Sequence, residues 1–173
     1  QGIKLLFNAN VKEITDGEKL VISGENMPDV STDIVIVSVG VVPESALAEK
    51  SGLALSTKGS IAVDDTMLTS DENIYAVGDA VEITHRVSGN KALIALAGPA
   101  NKQGRIAADN ICGIKSKYEG SQGSSVIKLF DVTAASTGLN ENQIIAMGIK
   151  YEKVILSPLS HAGYYPGATV MTL

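Results

Sequence analysis

The sequence predicts a mixed chain, α/β followed by α+β, and three features carry that expectation. Ile34-Val35-Ile36-Val37-Ser38-Val39 is a continuous apolar run, the pattern of a strand covered on both faces as in a parallel sheet. Between Gly98 and Cys112, Ala100, Gly104, Ala107, Ala108 and Ile111 recur at helical spacing while Lys102, Arg105 and Asp109 take other faces. After Tyr118 the signals change to strand, helix and strand.

Taken in order, Ile3 to Phe7, Val11 to Ile14 and Lys19 to Ser23 are apolar or β-branched segments separated by turn chemistry, with Asp16-Gly17 a strong hairpin signal. They predict a small meander. Asp33 leads into the run Ile34 to Val39, and Gly40 ends it. Pro43 at a helix start, the run Glu44 to Lys50 and Gly52 as a left-handed cap describe a short helix. Ile61 to Val63 and Ile74-Tyr75-Ala76-Val77 read as strands, the second one buried and stopping at Gly78-Asp79. Val81 to Leu96 reads as irregular chain or a loose hairpin around Ser88-Gly89-Asn90. The helix that follows closes at Gly113, and its stripe of Ala and Gly requires whatever it faces to approach the backbone closely. Val126 to Phe130 and Val132 to Ala135 then form strands. Asn140 with Gln143 is a capping-box arrangement opening a helix to Met147, Gly148 ends it, and Tyr151 to Leu156 returns to strand. A domain boundary is placed near residue 119. Gly2 to Phe7 and Ala168 to Leu173 both lie in strand-like sequence at the chain ends, which suggests a piece of a longer protein.

Composition narrows the function classes. The 173 residues are 45% hydrophobic and 19% charged, as in ordinary globular domains, and a net charge of −5 supplies no basic field for phosphate backbone or anionic lipid. Nucleic-acid and membrane-surface roles are excluded on that ground. Apolar runs stay far below the ~20 residues of a spanning helix. The single cysteine, Cys112, forms no internal disulfide, and with no secretory leader visible a cytoplasmic, reducing compartment is expected. Cys112 itself reads as a buried packing residue. Aromatics are only 4% with no Trp, so the core must come from Ile, Val, Leu and Ala. No metal-binding set is read from the chain.

Two places could carry chemistry. Gly78-Asp79 lies at the carboxyl end of a predicted strand, where glycine permits close approach and an ionised Asp accepts hydrogen bonds from polyol hydroxyls. An ordinary Gly-Asp turn is the competing reading. The helix opening at Ala97-Gly98-Pro99 presents free N–H groups and a positive dipole end to an electron-rich ligand, or packs closely on a sheet instead.

Thr69-Ser70-Asp71-Glu72-Asn73-Ile74-Tyr75-Ala76-Val77-Gly78-Asp79-Ala80, followed by Leu96-Ala97-Gly98-Pro99-Ala100-Asn101-Lys102-Gln103-Gly104-Arg105-Ile106-Ala107-Ala108-Asp109-Asn110-Ile111, resembles the second FAD-contacting half of the FAD-dependent pyridine nucleotide-disulfide oxidoreductases, flavoproteins with two dinucleotide-binding domains. Ile34 to Pro43 is similar to the strand and hinge leaving their NAD(P)H domain. The resemblance covers the whole chain and implies the C-terminal part of an NAD(P)H-binding domain at 1–42, the C-terminal half of an FAD-binding domain at 43–118, and the truncated start of an α+β interface domain at 119–173. It implies FAD contacts at Gly78, Asp79, Ala80, Leu96 and Ala97, with Asp79 on the ribityl chain and the helix N-terminus at Ala97 facing the pyrimidine edge of the isoalloxazine.

Ser160-His161-Ala162-Gly163-Tyr164-Tyr165-Pro166-Gly167-Ala168 is most similar to the branch containing coenzyme A disulfide reductases, and Gly123 to Leu139 looks like the start of its dimerisation domain. Glutathione reductase and its relatives place a Glu five residues after a catalytic His, whereas Pro166 follows His161 at that spacing. The departure argues against a His-Glu pair. By resemblance the tyrosines act instead from the partner subunit of a homodimer, Tyr165 before Tyr164, while His161 supports the loop. A phenol is protonated at neutral pH and can donate a proton to a leaving thiolate, although two Tyr before Pro-Gly can equally cover a turn. The sequence has no Gly-x-Gly and no counterpart of the family's redox cysteine, so the chain alone is expected to be inactive. The implied parent passes electrons from NAD(P)H through FAD to coenzyme A disulfide or a related small disulfide or polysulfide. An NADH oxidase or peroxidase parent, or a noncatalytic flavin-binding or dimerisation fragment, are the alternatives.

Overall fold

A computed structural model describes residues 2–56 and 58–173. The chain divides into two compact units, one up to Val41 and one from Val42 onward.

The first unit is an antiparallel meander of β1 (Asn10–Thr15), β2 (Leu20–Glu25) and β3 (Val30–Thr32). Asp16 Oδ1 accepts the Gly17 N–H at 3.0 Å, fixing the β1–β2 turn where Asp-Gly predicted it. The register slips between Val11 and Glu13, a bulge opposite Gly24. A Cβ on Gly24 would lie 2.2 Å from the Asn10 carbonyl oxygen, so only glycine fits there. Two expected strands do not form. Ile3 to Phe7 joins no ladder, and Ile34 to Val39 pairs with nothing among the described residues, leaving Ile36 86% and Val39 90% exposed. A strand exists through hydrogen bonds to neighbours, and an apolar run without them remains extended chain.

The second unit begins with α1 (Ala46–Lys50), closed by Gly52 at φ 74°. Its sheet holds β4 (Ile61–Ala62) parallel to β5 (Val81–Thr84), with β6 (Lys91–Ala92) antiparallel to β5. The stretch read as irregular or as a loose hairpin is thus a hairpin. Met67, Val81, Ile83, Ala107 and Tyr118 form the core, flanked by Ile61, Val63, Tyr75, Ala76, Ile94 and Ile106. Ile74 to Val77 is not the buried strand that was expected: one bridge pairs Leu68 with Tyr75, and Ile74 and Val77 are exposed. Short antiparallel contact with 67–69 satisfies Thr69 and Ala76 N–H, so only Tyr75 and Ala76 turn inward.

Asp64 makes the sharp turn that puts Met67, at φ 71°, into the core. Its Oδ1 accepts from Thr66 N–H at 2.8 Å, Thr66 hydroxyl at 2.7 Å and Leu68 N–H at 3.1 Å. Burial raises the Asp64 carboxyl pKa, but the Thr66 and Leu68 hydrogen bonds and the Lys117 charge outweigh it, and the net shift is downward.

Helix α2 (Ala97–Ile111) packs on this sheet. Its buried face keeps Ala100 and Ala107 of the predicted stripe but is turned toward Gln103 and Asn110, leaving Ala108 and Ile111 exposed. Asn110 Nδ2 donates to the Ile106 and Ser116 carbonyls, each at 2.8 Å, anchoring the helix end. Cys112 follows the last turn and is exposed, which corrects its reading as a buried packing residue. The geometric reason is the same rotation of the helix face.

From Tyr118 the chain returns along β5. Ser121 accepts from Arg86 N–H at 2.9 Å and donates to Thr84 O at 3.1 Å, so the segment adds a parallel bridge at His85. β7 (Ser125–Leu129) and β8 (Val132–Ser136) form a hairpin turning at Phe130-Asp131, and α3 (Glu141–Ala146) carries the predicted capping box, Asn140 with Gln143. Tyr151 to Leu156 does not form the expected strand. Glu141 instead accepts from the Tyr151 hydroxyl at 2.7 Å and Lys153 Nζ at 2.6 Å, and only Leu156 pairs, with Leu173, by reciprocal backbone bonds. Among the described residues no helix is long and apolar enough to cross a membrane.

Two predictions follow from these contacts. The folded Asp64 pKa lies below its unfolded value of about 3.9, so its contribution to stability is complete above about pH 4 and fades as pH falls through the folded pKa. Urea unfolding of Asp64→Asn should show a deficit at neutral pH that narrows in acid; a deficit that widens in acid contradicts this account. Gly120 sits at φ 85° with its missing Cβ 2.1 Å from Thr84 O, whereas Gly148, at φ 66°, opens onto free space. Gly120→Ala should cost about 3 kcal/mol or more and Gly148→Ala about 1 kcal/mol, and equal losses in denaturant titration would refute the clash.

Candidate functional site

A turn and a helix end define the site. Gly78–Ala80 forms a single 3-10 turn between the extended Val77 and β5, closed by the Val81 N–H donating to Gly78 O. Gly78 takes φ 87°, and a Cβ built on it would meet nothing within 4 Å. Glycine is therefore required for backbone conformation, and the space beside it is open. Asp79 is exposed, and among the described residues its carboxylate accepts no hydrogen bond and makes no ion pair. Ala80 is half-buried and leads straight into the core residue Val81.

At the helix end, Leu96 is the extended N-cap residue, φ −137° and ψ 140°, and gives no side-chain cap. Ala100 N–H donates to Leu96 O at 3.1 Å, Pro99 has no N–H, and the Ala97 and Gly98 N–H groups make no hydrogen bond among the described residues. Two donors and the positive end of a 15-residue helix thus face outward. Gly98 and Gly104 also open onto free space, so the close approach expected along the small-residue stripe is not made by any described residue.

Gln103 links turn and helix. It is 1% exposed, and its Oε1 accepts the Gly78 N–H at 2.7 Å. Sequence reasoning missed this residue because a glutamine within a helix reads as surface; its place on the Ala100–Ala107 face was the available signal. Beside it on the outer face, Asn101 Oδ1 accepts from Arg105 Nε at 3.2 Å and also from its Nη2.

The tyrosines lie on another loop. Ser160 N–H donates to Thr169 O at 2.8 Å, and the residues between them form a closed loop. Within it Thr169 N–H donates to Ser160 Oγ at 3.2 Å, and Ser160 Oγ lies 3.1 Å from His161 Nδ1. His161 Nε2 lies 3.3 Å from Pro166 O. These contacts fit one tautomer, with the Ser160 hydroxyl donating to Nδ1 and Nε2–H donating to the carbonyl. Both ring nitrogens are thereby engaged within the loop, and no carboxylate pairs with His161 among the described residues. Tyr164 and Tyr165 stack at 4.8 Å with a 42° tilt and are 84% and 61% exposed. Neither hydroxyl has a partner among the described residues, and no hydrogen bond there joins this loop to the Gly78 turn or to α2.

Comparison with known proteins gives a consistent set. The family model described as pyridine nucleotide-disulphide oxidoreductase matches residues 1–104. The chain is 35% identical to the NAD(P)H sulfur oxidoreductase (CoA-dependent) of Pyrococcus furiosus, over 90% of this chain and 33% of that protein. It is similar to reduced Bacillus anthracis CoADR-RHD, at 46% identity and a TM-score of 0.83, covering 88% of this chain and 28% of the other. It also resembles an NAD-dependent persulfide reductase from A. fulgidus, at 39% identity and a TM-score of 0.88, covering 95% and 30%. The chain spans about a third of the length of the curated relatives it matches.

The turn geometry predicts different outcomes at adjacent positions. Gly78→Ala should lower stability by about 1–2 kcal/mol through the left-handed backbone. Asp79→Asn should stay within about 0.5 kcal/mol of wild type, because its carboxylate holds nothing in the fold. Denaturant titration checks both, and a strongly destabilised Asp79→Asn would show that the carboxylate is structural.

Proposed function

The chain belongs to the pyridine nucleotide-disulphide oxidoreductase family, and from that premise we propose that it supplies the second half of an FAD site in a homodimeric NAD(P)H-dependent flavoprotein. In this reading residues 1–42 end the NAD(P)H domain, 43–118 complete the FAD domain and 119–173 begin the dimerisation domain. The electron acceptor is coenzyme A disulfide or a related small disulfide or polysulfide, in a cytoplasmic enzyme.

The carrying observation is the Asp79 carboxylate, exposed and without a partner among the described residues, on a glycine turn that a buried amide ties to a helix N-terminus with no side-chain cap. These residues fit FAD. The open space at Gly78 and Gly98 admits a ligand, Asp79 can accept from ribityl hydroxyls, and the Ala97 and Gly98 N–H groups can donate to an electron-rich ring edge. Ala80 and Leu96 border those groups on either side. Bound FAD supplies the two-electron chemistry between nicotinamide and disulfide. The sequence has no Gly-x-Gly, so this reading assigns the pyrophosphate contacts to residues outside it.

The sulfur acceptor is supported by the relatives from Pyrococcus furiosus, a CoA-dependent NAD(P)H sulfur oxidoreductase, and from A. fulgidus, an NAD-dependent persulfide reductase. The Tyr164-Tyr165 pair, exposed on a loop braced by His161, suits a proton donor that reaches into the partner subunit's site. The Tyr165 hydroxyl is a donor that can deliver a proton to a departing thiolate.

Rapid mixing of the flavin-loaded full-length protein separates the two half-reactions. Asp79→Ala should weaken flavin retention, while Tyr165→Phe should leave flavin reduction by NAD(P)H intact and slow disulfide reduction about a hundredfold, with Tyr164→Phe as control. An unchanged disulfide step in Tyr165→Phe removes its catalytic role. Rapid turnover with oxygen or peroxide, and none with disulfide, would favour the oxidase or peroxidase reading.

A further inference from the structure

We propose that Gln103 is a positioning residue for bound flavin, setting the place of the Asp79 carboxylate by holding the amide of Gly78. The inference rests on the reading of the Gly78–Ala80 turn as an FAD contact.

Gln103 lies on the inner face of α2 and is 1% exposed, yet its Oε1 makes a 2.7 Å bond to a backbone N–H that belongs to neither the helix nor the sheet ladder. A buried carboxamide is a costly way to fill that space. Desolvating it opposes folding, and an apolar side chain of similar size would fill the space but leave the Gly78 N–H without its acceptor. What the carboxamide adds is geometry.

The turn needs it for three reasons. Gly78, at φ 87° with no side chain, is the least constrained residue in the segment. The turn itself is closed by a single backbone bond, from Val81 N–H to Gly78 O. The Asp79 side chain has no partner among the described residues, so its position is inherited entirely from the backbone that Gln103 fixes. A small swing at Gly78 therefore moves the carboxylate directly.

The other end of the amide supports this assignment. Gln103 Nε2 donates to no group among the described residues, and no fully buried side-chain nitrogen or oxygen there lacks a partner. Of the two ends of the buried carboxamide, Oε1 is the one engaged, so the acceptor end is the one the fold uses.

Three variants of the full-length protein test the proposal. Gln103→Glu keeps an oxygen acceptor at the same reach, held as the neutral acid by burial. Gln103→Asn withdraws it by about 1.5 Å, one carbon–carbon bond, beyond hydrogen-bonding distance. Gln103→Leu removes it. FAD dissociation constants should rise about tenfold or more in the Asn and Leu variants and stay within about threefold of wild type in Gln103→Glu. Amide hydrogen exchange at Gly78 and Asp79 in the apo protein should quicken in Asn and Leu and not in Glu. If Gln103→Leu does not fold, the Asn and Glu pair decides.

A Gln103→Asn protein of reduced thermal stability, but with wild-type FAD affinity and unchanged Gly78 and Asp79 exchange, overturns the positioning role. So does Gln103→Glu behaving like Gln103→Leu. A wild-type protein that binds no FAD overturns the flavin reading itself, and the exchange data then separately show whether Gln103 holds the turn.

Discussion

The hydrogen bond from the Gly78 amide to the buried Gln103 carboxamide gives the candidate site its form. It joins a turn with little intrinsic stiffness to a helix packed on the sheet, through a side chain that is itself buried. Asn110 performs the matching task at the other end of α2, where its carboxamide bonds the Ile106 and Ser116 carbonyls. The helix is thus registered by two amides as well as by the packing of Ile106 and Ala107. That solution suits a helix whose inner face is small or polar, Ala100, Gln103, Ala107 and Asn110, against a core cluster whose one buried aromatic among the described residues is Tyr118. Directional polar contacts define a geometry that small apolar residues, which can slide past one another, do not.

A second constraint is the need of every strand for a neighbour. Ile34 to Val39 and Tyr151 to Leu156 have the composition of strands but no ladder among the described residues, and their side chains face outward. β7 and β8 pair with each other and are exposed throughout. Each is a segment whose apolar residues require cover that these residues do not supply. The chain spans about a third of the length of the relatives it matches.

The Ser160–Thr169 loop reaches order by a different route. Its residues are almost all exposed, so burial contributes little, and local hydrogen bonds through Ser160 and His161 close it instead. The imidazole spends both nitrogens on the loop. It therefore serves as a brace, and the two tyrosine rings lie together on this frame with hydroxyls that have no partner among the described residues.

Much of this was legible in the residues. Asp16-Gly17 fixed a hairpin, Asn140 with Gln143 fixed a helix start, and the strings around Gly78-Asp79 and Ala97 to Ile111 identified the family before any coordinates, because each depends on chemistry within a few residues or on an unusually long match. The facing of α2 was not legible, since Ala, Gly, Gln and Asn give a weak apolar contrast and several rotations satisfy the same spacing. Burial of Gln103 follows from a partner 25 residues away, and exposure of Cys112 follows from the resulting helix rotation. The sequence by itself determined the local turns, caps and family; the tertiary structure decided which helix face is inside and which apolar runs become strands, because both depend on neighbours distant along the chain.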